Sequence, residues 1–326
     1  MEDQDYSDMS DSGEEEQEID TVSLGPFTYK LYKDKTAVLS LAIKGDSNVK
    51  IPSAIQHNDE DYIVKGIAPR ALRESKISHL EFDPDCQITK LGKDSLYCHS
   101  LEEVILPPKC EKLERGWCNF TLKLNSVSLP LENTNFQVQN AALFGRNMDY
   151  LYFVPRNTKT FQVPNTVKYI YAYCFEQCRK LKEVTFEEES SLIRIDPWAF
   201  SHCGLKSITF PDSLVTISYD AFFQSRKLQE INFGKASNLK EILISAFKNT
   251  NLHSIELPKS CKKVAIAAFQ GNRSLEKIKI LSDDYIKVWR DAFKDCDPSC
   301  EYVIFEGVDV KGEGLKRLKE QVEHYV

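Results

Sequence analysis

Hydrophobic residues recur along this chain in one fixed pattern. The pattern is I-x-x-x-A-F, then five or six residues, then L-x-x-I-x-F, as in residues 193–210 and again in residues 215–233. The same pattern follows in residues 240–257 and 262–280. Self-similarity at a period of 20 to 50 residues is typical of solenoids and other repeat arrays. We therefore predict that most of the chain is one stack of short units.

The A-F position can be followed through ten units. It falls at Ala71–Leu72, Ser95–Leu96, Trp117–Cys118, Ala142–Leu143, Cys174–Phe175, Ala199–Phe200, Ala221–Phe222, Ala246–Phe247, Ala268–Phe269 and Ala292–Phe293. Successive positions are 22 to 25 residues apart, except for one step of 32 residues between Leu143 and Phe175. We interpret the long step as an insertion after the fourth unit, around residues 151–164.

The two halves of the pattern predict different local structures. In L-x-x-I-x-F the last two apolar residues alternate, which indicates a half-buried strand. In I-x-x-x-A-F the apolar residues are four and five apart, which suits a helical or 3₁₀ turn. One unit is too small to bury its own apolar side, so the units must stack and their strands must pair in a parallel sheet.

These residues resemble the BspA-like leucine-rich repeats, also called the Treponema pallidum class. That family's consensus is similar to V-P-x-x-V-x-x-I-x-x-x-A-F-x-x-C-x-x-L-x-x-I-x-(F/L/I). Residues 161–186 match almost throughout, with Cys174 in place of the small alanine, and residues 49–72 are similar to the family's usual first unit. The resemblance covers about 255 residues. It implies a right-handed leucine-rich-repeat solenoid of the α/β type, with about ten repeats, short helical or irregular turns and capped ends.

The flanks predict four segments. Residues 1–20 are expected to be a disordered acidic tail, and residues 21–50 a β-hairpin cap that turns near Lys33–Lys35. Residues 51–305 form the solenoid. Residues 306–326 have helical spacing at Leu315, Leu318 and Val322, which predicts a C-terminal cap or, alternatively, a segment that docks a partner.

Charge changes this picture only at the N-terminus. The net charge is −7, but residues 2–20 hold ten carboxylates and no base, so the remainder is nearly neutral. Such a segment cannot bury enough apolar surface to fold, and it serves either as a solvating arm or as a regulated one. Ser12 is a candidate phosphorylation site, because Glu14–Glu16 follow it closely. The remaining charges are mixed without a basic stripe, so we expect no nucleic-acid partner.

No apolar run reaches the 18 or more residues of a membrane span, and the first 20 residues lack the features of a secretory signal. The sequence therefore predicts a cytoplasmic protein without a membrane span. The family resemblance leaves a cell-surface location by unconventional export open, since BspA-like proteins of host-associated bacteria and parasitic protists have surface roles.

Candidate chemistry is sparse. Most of the ten cysteines occupy repeat positions, where they act as small hydrophobes. We expect reduced thiols, although a bridge between Cys178 and Cys203 in adjacent units stays open. The pairs Cys98–His99 and His202–Cys203 are four units apart, roughly 19 Å at about 4.8 Å per unit, which is too far for one metal ion. The sequence predicts no catalytic site, metal or cofactor.

The pattern also predicts a binding face. In L-x-x-I-x-F the residues on either side of the isoleucine point away from the core. This places Tyr150 and Tyr152 beside Ile105, and on the same face Thr185, Thr209 and a basic patch of Lys277 and Lys279. Exposed tyrosines are either partner anchors or simply good strand formers. We predict a non-enzymatic scaffold that binds a protein through this face. The alternative is a cell-surface adhesin or antigen that binds a host protein or glycan.

Overall fold

The computed structural model describes residues 17–43, 45–282, 285–304 and 309–312. Within these ranges the chain consists of strands and tight turns, without a helix. The segment around A-F is therefore an irregular turn and not a helical one. Ser12 and the expected C-terminal helical residues Leu315, Leu318 and Val322 lie outside the described residues.

A five-stranded sheet begins the fold. It comprises β1 (Glu18–Leu24), β2 (Phe27–Tyr32), β3 (Thr36–Ala42), β5 (Ala54–His57) and β6 (Glu60–Ile67), in the order β1-β2-β3-β6-β5. Strand β1 pairs antiparallel with β2, although its first three residues fall in the range expected to be a disordered tail. Strand β3 pairs parallel with β6, so the solenoid is continuous with this sheet.

Two ladders of parallel strands run along the solenoid, one from each half of the sequence pattern. The long-strand ladder comprises β4 (Asn48–Ile51), β7 (His79–Phe82), β9 (Glu103–Ile105), β11 (Ser126–Ser128), β15 (Thr160–Val163), β17 (Glu183–Phe186), β19 (Ser207–Phe210), β21 (Glu230–Phe233), β23 (Ser254–Leu257), β25 (Lys277–Ile280) and β27 (Glu301–Ile304). The short-strand ladder comprises β8 (Lys90–Leu91), β10 (Lys112–Leu113), β14 (Tyr150–Phe153), β16 (Tyr169–Ile170), β18 (Arg194–Ile195), β20 (Thr216–Ile217), β22 (Glu241–Ile242), β24 (Lys263–Val264), β26 (Tyr285–Val288) and β28 (Asp309–Lys311).

Stacking of the units, as predicted from the repeat, brings the phenylalanines of the A-F position into one column of rings. The rings of Phe175, Phe200, Phe222, Phe247 and Phe269 are fully buried and lie one above another. Their centroids are 4.6 to 5.3 Å apart, and the planes of neighbouring rings differ by at most 12°. Burying one such ring contributes roughly 1.5–3 kcal/mol, and each ring pair adds about 0.5–1.5 kcal/mol. The column therefore forms much of the solenoid's core.

The interpretation of the fourth unit is wrong. Its A-F position is Phe153–Val154 and not Ala142–Leu143, because the Val154 N–H donates to the Cys174 carbonyl as the Phe175 N–H donates to the next unit. Strands β12 (Phe136–Gln139) and β13 (Ala142–Gly145) form an antiparallel hairpin instead. The insertion therefore precedes this unit's short strand and does not follow the unit.

This hairpin divides the core. Strand β13 is buried on both faces. Leu143 packs with Phe153 in a cluster that reaches back to Phe27. Ala142 and Phe144 pack in a second cluster that continues through the later units. The solenoid thus has two hydrophobic blocks that meet at the hairpin.

A buried arginine joins the third, fourth and fifth units. Arg156 is 4% exposed and donates to the carbonyls of Tyr173 and Cys174, at 3.3 and 2.9 Å. Glu176 is also 4% exposed and accepts a 3.4 Å hydrogen bond from the Phe120 N–H of the third unit. Burial raises the pKa of Glu176 to about 7, although the Arg156 guanidinium acts to lower it. Arg156 and Glu176 thus form buried polar contacts between neighbouring units.

Most turns contain left-handed residues at two fixed positions. Two residues before the phenylalanine position, φ is positive at Arg70, Asp94, Gly116, Tyr173, Trp198, Asp220, Ser245, Ala267 and Asp291. Two residues after it, φ is positive at Phe120, Gln177, His202, Gln224, Asn249, Gly271 and Asp295. For residues other than glycine this conformation costs roughly 1–2 kcal/mol. Hydrogen bonds from turn to turn hold it, such as the 2.7 Å bond from the Phe247 N–H to the Ala268 carbonyl.

We expect Ala267→Gly to stabilise the protein. Ala267 has φ +56°, and glycine removes the strain of roughly 1–2 kcal/mol while adding about 0.5–1 kcal/mol of backbone entropy cost. The free energy of unfolding should rise by about 0.5–1 kcal/mol in denaturant titrations. The adjacent Ala268 is fully buried and lacks a positive φ, so Ala268→Gly should lower it by a similar amount. Equal signs at the two positions would contradict this account of the turn.

Candidate partner-binding face

The structure separates the residues that the sequence grouped in one face. Tyr150 and Tyr152 lie on β14 in the short-strand ladder. The long strand of the fourth unit is β15, which pairs with β17 and places Thr160 and Gln162 in the column expected for the tyrosines. The grouping is wrong because Y-L-Y-F at residues 150–153 matches the spacing of a long strand, although it is a short one.

The remaining expected residues lie on the long-strand ladder. Thr185 and Thr209 are exposed and line a groove of about 560 Å³ between β17 and β19. Ile105 is half-buried on β9, within the first block. The structure thus brings the two threonines together but leaves Ile105 apart from them.

The expected basic patch is paired with acids. The Lys277 ammonium lies 3.1 Å from a Glu301 carboxylate oxygen, and that of Lys279 lies 2.8 Å from one of Glu256. Exposed pairs of this kind contribute about 0–1 kcal/mol to stability. They nevertheless cancel the local positive charge, so this patch offers little attraction to an anion.

Four tyrosines cluster on the short-strand ladder. We call Tyr150, Tyr152, Tyr169 and Tyr171 the tyrosine face. Ring centroids are 4.7 Å apart for Tyr150 and Tyr169, 4.7 Å for Tyr152 and Tyr171, and 5.7 Å for Tyr150 and Tyr152. All four side chains are partly exposed. The face is therefore a continuous aromatic surface that solvent reaches.

Strand register brings these rings together. Tyr150 pairs with Tyr169 across the ladder, and after each of them the next tyrosine follows two residues later along the chain. Sequence reasoning singled out Tyr150 and Tyr152 but missed Tyr169 and Tyr171. The repeated Y-x-Y spacing at residues 150–152 and 169–171 was the signal that would have found them.

The rings of Tyr152 and Tyr171 are held in place by contacts with other parts of the fold. Tyr152 packs edge-on against Phe136 of the inserted hairpin, at 5.4 Å between centroids. The Tyr171 hydroxyl donates a 2.9 Å hydrogen bond to the Leu113 carbonyl in the third unit. Burial raises the pKa of Tyr152 to about 12 and also raises that of Tyr171. Both hydroxyls are therefore neutral hydrogen-bonding groups at physiological pH.

An ion pair between the half-buried Arg194 and the buried Asp196 borders the tyrosine face. The Arg194 guanidinium lies over the Tyr169 ring, 5.0 Å from its centroid, and its Nε donates to Asp196. Burial raises the pKa of Asp196, whereas Arg194 acts to lower it. Beyond this pair a groove of about 350 Å³ continues along the ladder, past Tyr219 and Leu243 to Trp289. Aromatic, apolar and charged groups thus follow one another along one side of the solenoid.

The chemistry of this face suits binding. Among the described residues, no three histidine, cysteine or carboxylate side chains are placed to hold one metal ion. Burial raises the pKa of the thiols of Cys118, Cys178 and Cys203, which lowers their reactivity as nucleophiles. What the face offers is planar aromatic surface, hydroxyl groups and a partly desolvated cation.

Comparison with solved structures supports the architecture. A leucine-rich repeat protein from Eubacterium ventriosum is 15% identical, with 90% of this chain and 96% of that chain covered and a TM-score of 0.54. A leucine-rich cell surface protein from Faecalibacterium prausnitzii is 16% identical, with 91% and 96% covered and a TM-score of 0.46. The first likeness shows a shared fold. Comparison with curated proteins gives no significant match.

A match to a family model shows to which protein family the chain belongs. The BspA type leucine rich repeat region matches in six copies, over residues 48–148, 146–276 and 185–300. None of the described segments is a helix that could cross a membrane. The matched ranges include both strand ladders except their last strands, and the stacked phenylalanine column. The chain therefore belongs to the BspA-type leucine-rich-repeat family.

Proposed function

We propose that this protein is a non-enzymatic scaffold that binds a protein partner through the tyrosine face. The observation that carries the proposal is the cluster of four partly exposed tyrosine rings with centroids 4.7 to 6.2 Å apart. A cytoplasmic location belongs to the same proposal. It is supported by the ten cysteines, which are all free thiols, as expected in a reducing compartment.

The tyrosine face has the properties of an interaction hot spot. Tyrosine and arginine are enriched at positions that dominate binding energy, because they bury large areas and also form hydrogen bonds. Here the rings are held by strand register and by contacts to Phe136 and Leu113. A partner therefore meets a surface that is already ordered, which reduces the entropy lost on binding.

The other faces fit this role less well. On the long-strand ladder Thr185 and Thr209 are exposed but small, and the charges of Lys277 and Lys279 are already paired with carboxylates. Tyr152 and Tyr171 also support the fold, through their contacts with Phe136 and Leu113. Tyr150 and Tyr169 are therefore the residues on which to test binding.

We expect Tyr150→Ala/Tyr169→Ala to weaken partner binding at least about 30-fold, since losing a hot spot costs roughly 2 kcal/mol or more. A partner captured with the wild-type chain would be identified, purified and titrated against both proteins by calorimetry. The matched control is Thr185→Ala/Thr209→Ala on the other ladder, which should bind as the wild type does. Unchanged affinity of the tyrosine variant, with its fold intact by circular dichroism, would exclude the tyrosine face.

A further inference from the structure

A cluster of unpaired cations lies on the edge between the turns and the long strands. The fifth unit contributes Arg179 and Lys180, and the seventh contributes Arg226 and Lys227. The four side chains are exposed. Lys182 and Lys206 flank them on the same edge. We call these six residues the basic cleft. Within the described part of the chain, none of the six forms an ion pair with a carboxylate, unlike Lys277 and Lys279.

A deletion in the sixth unit forms the cleft. The fifth unit reads Cys178-Arg179-Lys180-Leu181, but the sixth reads Cys203-Gly204-Leu205, one residue shorter. A Cβ at Gly204 would lie 2.3 Å from the Arg179 carbonyl oxygen, so only glycine fits there. The Arg–Lys pairs on either side therefore border two adjoining depressions over Gly204, of about 530 and 380 Å³.

Two contacts order the guanidinium groups. Arg179 Nε donates to the Gln177 side chain at 2.9 Å, and Arg226 donates to that of Gln224 at 3.4 Å. His202 lies between them, and its pKa is lowered by burial and by the charges of Arg179 and Arg226. The positive charges of Arg179 and Arg226 therefore both act at the position of His202. Convergent positive charge of this kind is the arrangement that a bound anion requires.

The chain carries a segment of opposite charge. Residues 2–16 contain eight carboxylates and no base. The next two acidic residues are already paired in the cap: Glu18 with Lys30 at 2.8 Å, and Asp20 with His57 at 3.0 Å. We call residues 2–16 the acidic segment.

The part of the acidic segment around Ser12 cannot reach the cleft of its own chain. Strand β1 starts at Glu18, and it lies seven strand positions from the fifth unit, or about 34 Å at roughly 4.8 Å per strand. Ser12 is six residues from Glu18 and reaches at most about 21 Å. The Glu14–Glu16 run reaches less far still. Within one chain only the first residues of the segment could span that distance, whereas a second copy can bring the whole acidic segment, including Ser12 and Glu14–Glu16, to the basic cleft.

We propose that the basic cleft of one copy binds the acidic segment of a second copy, so that the scaffold self-associates through charge. Phosphorylation of Ser12 would add a charge of about −1.5 to −2 and three acceptor oxygens, which arginine pairs bind well. The contact is electrostatic and exposed, so it weakens with salt. It uses neither Tyr150 nor Tyr169, and it is therefore independent of the partner site proposed above.

Sedimentation equilibrium of the full chain tests the proposal. At about 50 mM salt the average mass should rise with concentration above the 37.4 kDa of one chain, and at about 500 mM it should return to that value. Arg179→Glu/Arg226→Glu should remain monomeric at both salt concentrations. Lys235→Glu/Lys240→Glu changes two exposed lysines outside the cleft by the same total charge, and it should associate as the wild type does.

A synthetic peptide of residues 2–16 completes the test. It should dissociate the wild-type assembly at low salt, and the same peptide phosphorylated on Ser12 should do so at a severalfold lower concentration. A wild-type chain that stays monomeric at low salt overturns the proposal, even if the peptide binds, because the site would then be filled within one chain or by a foreign acidic peptide. Association that survives in Arg179→Glu/Arg226→Glu overturns it as well.

Discussion

Phe222→Ala is expected to lower the free energy of unfolding by about 3–5 kcal/mol, the cost of removing a large ring from a packed core. The Phe222 ring is fully buried, with the Phe200 and Phe247 centroids 4.8 and 4.9 Å away on either side. Truncation leaves a cavity in the middle of the column, and the two neighbouring rings each lose a stacking partner. Urea titration followed by circular dichroism measures the change.

The adjacent Phe223 supplies a matched control. It has the same side chain one position further along the turn, but it is partly exposed and touches the edge of His202. Phe223→Ala should therefore cost much less than Phe222→Ala, because its ring already meets water. Similar losses at the two positions would mean that the column does not carry the stability of the stack.

Arg156→Met is expected to cost about 3–5 kcal/mol near pH 8, because it leaves the buried Glu176 carboxyl without the positive charge that acts to lower its pKa. The variant also loses the two hydrogen bonds to the Tyr173 and Cys174 carbonyls, which then stay buried without this donor. Urea titrations at about pH 5 and pH 8 would give the free energy of unfolding under both conditions. The loss should be larger at the higher pH.

The direction of this pH dependence follows from Glu176. Its folded pKa of about 7 lies above its ordinary value of 4.5, so its stabilising contribution is complete below pH 4.5 and is lost as the pH rises through 7. Without Arg156 the folded pKa rises further, which extends the loss to higher pH. Glu176→Gln, the matched control, should give a stability that changes less between pH 5 and pH 8. An Arg156→Met loss that is equal at both pH values would contradict the coupling.

Regular periodicity made most of the fold predictable. The A-F position placed Phe200, Phe222, Phe247 and Phe269 in one column, because each unit repeats the same spacing between its apolar residues. The long strands were predicted for the same reason. The turns were only partly anticipated, since their left-handed residues include Trp198 and Ala267, which have no sequence preference for that conformation.

The repeat pattern gave a wrong prediction where a segment of different structure has a similar sequence. Ala142–Leu143 has the composition of an A-F position, yet it belongs to the inserted hairpin, and this error placed Tyr150 and Tyr152 on the wrong ladder. The basic cleft was missed for another reason. Arg179 and Arg226 are far apart in sequence, and a gap over Gly204 brings their charges to one place only after the units stack. Composition alone does not contain that information.

The inserted hairpin also bears on how such a chain can change in evolution. Strand β13 closes one hydrophobic block with Leu143 and opens the next with Ala142 and Phe144. Neither block therefore depends on the number of units in the other. Duplication or loss of a unit within residues 187–280 would lengthen or shorten only the distal half. The tyrosine face beside the hairpin would keep its geometry through such changes in length.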